Sequence, residues 1–474
     1  MNVPGKSNIN QSALGDYKVY STRFYILLSF SLVSFCQGLL WLSFSPIAAT
    51  TKAYYGLCKT PAECNDEQGP GQTDIDLFLN WGPIMYCLTT VPTVWLATTQ
   101  QALRKITLLS VFLEIGCVAM RAFPTLLFSS GSPPGWVLPL VHIGQIFNAA
   151  AGPLTMATPT LVASTWFPPN ERDTATSVAI LANNLGAAIG FFAPYIIRGS
   201  DENTPLLLWV QFGIVLCVGV PILVYFPAEP PSTPSPSQSY REYQEGLAVQ
   251  AWPELKRVKS PSFLIFKRVA SPSFLILAIF GWVVGGIYNT WSGSFDTILP
   301  HSVFSTIECW NLGLVATISY FLLLQTKFFK RRYKELLMIL LLLSFALFSC
   351  FTLSLPFLGV APLFKPTFLT LGSAIVGSSF FLGASNPLIY IFGVELTFPA
   401  MEGSSAGIIS FFNNVGALIL LAVKNSIATD SINLLMATTV AVTAIATLFF
   451  VTPKYLRQDH DELSYHRLLP SAHE

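Results

Sequence analysis

Apolar stretches of about 20 residues recur along the chain, each closed by a short polar turn, and about 20 is what a helix needs to cross a bilayer. In the first half they fall near 24–49, 76–97, 106–128, 136–163, 174–197 and 206–227. In the second they fall near 272–298, 306–326, 335–355, 367–392, 403–423 and 432–452. Proline and glycine inside several of them do not argue against helices, because membrane helices tolerate both. The first stretch is long and has no small-residue cleavage site behind it, so it reads as a retained helix rather than a signal peptide. The pattern predicts an all-α membrane protein with twelve transmembrane helices.

Composition agrees. Charged residues make up 11% and hydrophobic residues 52%, too little charge to clothe a soluble particle of 474 residues. The 26 basic and 25 acidic residues nearly cancel, leaving no field that would draw nucleic acid. Eight scattered cysteines form neither a disulfide framework nor a CxxC pair. The sequence holds no phosphate-cradling glycine loop, Ser/His/Asp trio or metal-ligand spacing, so an enzyme, a pump ATPase and a cofactor or metal protein all lack support.

The basic residues orient the spans. Twenty of the 26 Lys and Arg lie in the two tails and the loops that share their side. The opposite loops hold Lys52, Lys59, Arg198, Lys365 and Lys424, and Arg121 lies inside span 3. By the positive-inside rule both termini are cytosolic. Cys58 and Cys64 share the first loop of the other side, where oxidation is permitted, and are candidates for a local disulfide. The sequon Asn10-Gln-Ser12 lies in the cytosolic tail and is expected to be silent.

A Pro/Ser-rich and then basic stretch divides the chain six spans against six. The expected units are a tail over 1–23, a six-helix bundle over 24–227, a flexible linker over 228–271, a second bundle over 272–452 and a tail over 453–474. In the linker, Lys256-Arg-Val-Lys-Ser-Pro-Ser-Phe-Leu-Ile recurs as Lys267-Arg-Val-Ala-Ser-Pro-Ser-Phe-Leu-Ile. The first copy reads equally as an interfacial segment or a solvated linker. A longer repeat is more informative. Phe167-Pro-Pro-Asn-Glu171, Ala175 and Asn183-Asn184-Leu-Gly186-Ala open span 5, while Phe398-Pro-Ala-Met-Glu402, Ala406 and Asn413-Asn414-Val-Gly416-Ala open span 11. Spans 5 and 11 are equivalent if two pseudo-symmetric bundles are related by an axis along the membrane normal. That is the major facilitator fold, with its solute site at midplane.

Particular motifs carry a resemblance. They include Gln37-Gly-Leu-Leu-Trp41, Trp81-Gly-Pro-Ile84, His142-Ile-Gly-Gln145 with Asn148, and Gly152-Pro153. Others are Thr165-Trp-Phe with Glu171-Arg172, Trp291-Ser-Gly with Asp296, and Val394-Glu395 with Pro399 and Glu402-Gly403. With these the chain resembles solute carrier family 49, the feline leukaemia virus subgroup C receptor-related branch of the major facilitator superfamily. The resemblance covers nearly all twelve spans. It implies transport of choline and ethanolamine, haem, or vitamin B6, and the most similar branch implies lysosomes and proton-coupled pyridoxine transport. One departure stands out: the superfamily's loop 2–3 usually carries an Asp that latches helix ends. Leu96 to Lys105 holds no acid here, nor does the run from Lys327 to Arg332, so that latch is absent or replaced.

Candidate site residues follow. Trp41, Tyr288 and Trp291 offer aromatic faces for a cation or a flat heterocycle, with lipid contact or core packing as the alternative. Gln145, Asn148, Asn183, Asn184, Asn413 and Asn414 offer amide donors and acceptors, or else bond helix to helix. In choline-transporting relatives Trp41 matches a cage aromatic, and Asn184 and Asn413 stand where those relatives use Gln. Asp296 is the first candidate for proton coupling, with His142 and Glu114 behind it. Glu114 and Arg121, seven residues apart on one helix face, are expected to form a structural ion pair. Glu171, Arg172, Glu395 and Glu402 read as gating and helix-capping groups. In the last tail, Tyr465-His-Arg-Leu468 fits the extended peptide that sorting adaptors read. The expected partners are a small-molecule solute, the bilayer, protons and such adaptors, at the lysosomal membrane first and the plasma membrane second. A receptor or sensor that binds without turnover is the rival of another class.

Overall fold

A computed structural model describes residues 17–60, 63–64, 69–190, 193–197, 200–239, 271–281, 331–356, 361–398, 402–424 and 429–468. The helices of the first half are α1 (Thr22–Leu42), α2 (Ala48–Tyr54), α3 (Gln72–Ala97), α4 (Ala102–Ala122), α5 (Val137–Met156), α6 (Pro159–Trp166), α7 (Arg172–Gly190), α8 (Ala193–Ile197) and α9 (Thr204–Val224). Those of the second half are α10 (Pro272–Gly281), α11 (Tyr333–Leu353), α12 (Phe368–Thr397), α13 (Glu402–Lys424), α14 (Thr429–Phe450) and α15 (Leu456–Leu468). Among the described residues seven helical stretches are long and apolar enough to cross a membrane. Each predicted span except the seventh and eighth falls on helix, the first, fourth and fifth each running over two helices. The seventh begins at α10, and the eighth lies outside the described residues.

Both ends of the described chain lie on one face, called the terminal face below. There the Tyr20 and Ser232 hydroxyls meet at 3.1 Å, and Arg23 pairs with Glu171 at 3.1 Å. In the first half, α1 and α7 approach until backbone touches backbone. A methyl group on Gly186 would overlap the Phe35 carbonyl oxygen, and one on Gly38 would overlap that of Asn183. The spacing Gly186-Ala-Ala-Ile-Gly190 is the small-residue pattern that lets membrane helices pack this closely. The halves meet where α13 lies against α3: Gly407 faces Val94, and a methyl on Gly403 would stand 3.0 Å from the Ala97 side chain.

Two stretches are more ordered than expected. Residues 228–239 of the linker fold onto the terminal face, with Ser235 and Ser237 buried. The tail forms α15, which inserts Arg457 and Asp461 into the same face. Its backbone is helical through 468, so the stretch from Tyr465 to Leu468 is not extended and must unwind before an adaptor reads it as a strand. On the opposite face Cys58 and Cys64 are joined as a disulfide.

Candidate functional site

Polar side chains gather where α1, α3, α5 and α7 meet α12 and α13. Pro83 has no N–H to offer the Leu79 carbonyl one turn back, so that oxygen loses its helical partner. The Trp41 indole N–H takes it at 3.2 Å, and Gly82 leaves room for the ring. Trp81 completes this triplet by donating its indole N–H to His142 Nδ1 at 3.2 Å. The motif Trp81-Gly82-Pro83 thus seats one aromatic and anchors another.

Behind Trp41 the amides interlock. Gln37 Nε2 donates to the Asn148 carbonyl at 3.4 Å, and Asn148 Nδ2 donates to the Gln37 carbonyl at 3.3 Å. Asn183 Nδ2 donates to the Ser34 carbonyl and to Gln37 Oε1, both at 2.8 Å. Gln145 Nε2 donates to the Phe78 carbonyl at 3.2 Å. The Asn183 amino group therefore ties α7 to α1, which is the helix-bonding alternative. Gln145 Oε1 and Asn148 Oδ1 are buried and have no partner among the described residues. From the second half, Tyr390 and Ser410 hydroxyls meet at 2.8 Å, and Asn413 lies within reach of that tyrosine. Tyr86 of α3 points its hydroxyl at the same serine without hydrogen-bond geometry. Asn414 donates back to the Ser410 carbonyl at 2.9 Å, while Asn184 is half-buried. Tyr288, Trp291 and Asp296 lie outside the described residues.

Glu114 and Arg121 do not pair, contrary to expectation. Two helical turns separate them by about 10 Å along α4, and Arg121 finds nearer partners. Its Nη2 donates to the Leu40 carbonyl at 3.1 Å, and its guanidinium lies 4.4 Å from the centre of the Phe44 ring. His142 keeps its place at the outer end of α5, with Nε2 3.2 Å from Asp74.

A second constellation closes the terminal face. Arg457 pairs with Glu395 at 2.9 Å, with Glu402 at 3.4 Å and, across the halves, with Asp173 at 3.7 Å. Burial opposes its charge, but these carboxylates outweigh that and hold the guanidinium charged above its ordinary range. Arg172, 1% exposed, pairs with Asp461 at 3.2 Å and also bonds the Ser235 and Ser237 hydroxyls. Tyr333 of α11 donates to Asp173 at 2.5 Å. Arg172, Glu395 and Glu402 are thus tied down by two tail residues, Asp461 and Arg457, that the sequence reading missed, while Glu171 pairs with Arg23 instead. Arg457 and Asp461 stand one turn apart in a charged segment of helical spacing, a signal that was present. Tyr86 and Tyr390 were missed as well, and nothing in their spans marks them among 16 tyrosines. Gln37 stands in the motif with Trp41, but the sequence reading does not name it as a site residue.

Residues 26–421 match the sequence profile of the Major Facilitator Superfamily. The chain belongs to that superfamily. Within it the likeness is to solute carrier family 49. The chain is 27% identical to the solute carrier family 49 member 4 homolog of Xenopus tropicalis, over 85% of each chain. It is 27% identical to the choline/ethanolamine transporter FLVCR1 of Felis catus, over 86% of this chain and 68% of that one. Its fold is that of the proton:xylose symporter XylE, with a TM-score of 0.66 at 14% identity, covering 93% of this chain and 99% of that one. The protein is a multi-pass membrane transporter of a small-molecule solute.

Proposed function

We infer that the solute is a small, hydroxylated nitrogen compound, pyridoxine first, carried by alternating access between the two halves. The observation that carries this reading is the set of buried acceptors at the seam. Gln145 Oε1 and Asn148 Oδ1 have no partner among the described residues, beside the indole of Trp41. Such oxygens favour a solute with several hydroxyl donors, and the indole face favours a flat or cationic one. A specific observation also supports choline or ethanolamine, since relatives at 27% identity bear that name. The closed terminal face fits the state open to the other side, with Arg457 and Arg172 replacing the acid missing from loop 2–3.

Uptake of radiolabelled pyridoxine, choline and ethanolamine into proteoliposomes, at about pH 5 and about pH 7.5 outside, separates these readings. Pyridoxine is expected to accumulate beyond one solute per protein. Stoichiometric binding without accumulation would instead make the protein a sensor. Trp41→Ala and Asn413→Ala should each cut uptake by roughly tenfold or more, the loss of about 1.4 kcal/mol, at unchanged membrane abundance. Wild-type uptake by both variants would reduce these side chains to packing.

The basic residues support cytosolic termini, and the tail supports a lysosomal address. Tyr465→Ala is expected to move the protein from lysosomes to the cell surface in imaging of intact cells. An unchanged distribution would place the address in another loop.

A further inference from the structure

The interior of the first bundle holds a carboxyl group that the solute site does not use. Glu114 is 1% exposed, and its Oε1 has no partner among the described residues. Its neighbours are Cys36 of α1 and Cys117 of its own helix, thiols that pack in turn with the apolar Leu40, Val118 and Val215. Arg121 is the charged group nearest along α4, and it is also 1% exposed, with Nε and Nη1 unpartnered. From α9 the polar group is neutral Gln211, buried with both ends of its amide unpartnered. No carboxylate or ammonium faces Glu114 from α1, α3, α5 or α9 among the described residues, the acids of α3, Asp74 and Asp76, lying at its outer end. A bare buried carboxylate costs several kcal/mol, and an ionisable group at this depth is a functional site by default.

A path leads to it. His142, Gln145 and Asn148 succeed one another every third residue on α5, each about 4.5 Å further in. The first is at the mouth, where Asp74 is one-third exposed. The second carries the orphan Oε1, and the third the orphan Oδ1. The Asn148 backbone meets Cys117, one turn along α4 from Glu114. The sweep of this ladder turns it from α3 toward α1 and α4.

We propose that Glu114 is the cation-binding carboxylate of this transporter, and that its cation is a proton delivered along the His142–Gln145–Asn148 ladder from the face opposite the termini. The proposal rests on the carrier reading above. A metal cation is disfavoured because ions such as Ca2+ gather six to eight oxygens, and Glu114 is walled by thiols and aliphatic groups. The step is a proton transfer alone: a proton from the mouth joins a Glu114 oxygen and neutralises it. When the site opens to the terminal face the proton leaves again and restores the carboxylate.

Two measurements on the full-length protein test this. In nanodiscs, the infrared difference spectrum between about pH 5 and about pH 8 should show a carboxyl C=O stretch. That band is absent in Glu114→Gln and returns at a shifted frequency in Glu114→Asp. Gln145→Leu, which removes the middle rung, should slow the band's response to a pH jump by roughly tenfold. In proteoliposomes, a proton gradient should accelerate pyridoxine uptake by wild type, and Glu114→Gln should lose that acceleration. A spectrum unchanged by Glu114→Gln, or uptake driven by a sodium gradient at fixed pH, overturns the proposal. Failure of wild type to carry pyridoxine overturns the solute reading alone, because the infrared band does not depend on it.

Discussion

Arg457→Ala should lower the stability of the purified protein by about 3–5 kcal/mol, the usual cost of removing one partner from a buried ion pair. The cause is specific. Glu395 is fully buried and Glu402 nearly so, and both lean on the one guanidinium that α15 delivers. Its loss takes that cation from both carboxylates, and it also unties Asp173 of the other half. Thermal unfolding in detergent measures the first effect. Thiol labelling of Ser237→Cys measures the second, because that position should become reactive once the tail lifts. Arg457→Ala combined with Glu395→Gln and Glu402→Gln should recover much of the stability but not the closure. A single variant that melts and labels like wild type would mean these carboxylates are already solvated.

Gly186→Ala is expected to be equally severe for a different reason. The added methyl would overlap a backbone oxygen of α1 rather than a side chain that can turn away. Overpacking usually costs about 1–3 kcal/mol, and a backbone contact places this substitution at or beyond the upper end. Because α1 also carries Gln37 and Trp41, separating the helices breaks the Asn183–Gln37 bond and distorts the seam. Membrane abundance and uptake should fall together. Gly213→Ala is the control: nothing stands within 4 Å of a methyl there, and its effect should stay within about 0.5 kcal/mol. Normal folding of Gly186→Ala would show that α1 and α7 have slack.

The spans were legible because a bilayer imposes one length and one polarity on each of them. The repeat around Asn183 and Asn413 singled out two amides, of which Asn183 bonds α7 to α1 and Asn413 lies within reach of Tyr390. Partnerships were not legible. Glu114 and Arg121 share a helix face, yet Arg121 turns to the Leu40 carbonyl and the Phe44 ring because α1 brings them closer. Helix-face arithmetic on α4 contains no information about α1. The tail misled for a related reason. Its polar composition reads as a solvated strand, whereas Arg457 and Asp461 find buried counter-charges that only the assembled halves supply. The motif Trp81-Gly82-Pro83 was visible as a likeness, but its sense depends on which carbonyl the proline frees.

The pairing of Arg172 with Asp461 spans 289 residues, and this has a consequence during synthesis. At about 5–20 residues per second, roughly 15–60 s pass between the appearance of the arginine and that of its acid. The linker serines emerge after only 63 and 65 residues. They give the guanidinium its first distant hydrogen-bond partners while the second bundle is still being made. A nascent chain paused before α15 therefore has Arg172 bonded to its own linker but not yet to Asp461.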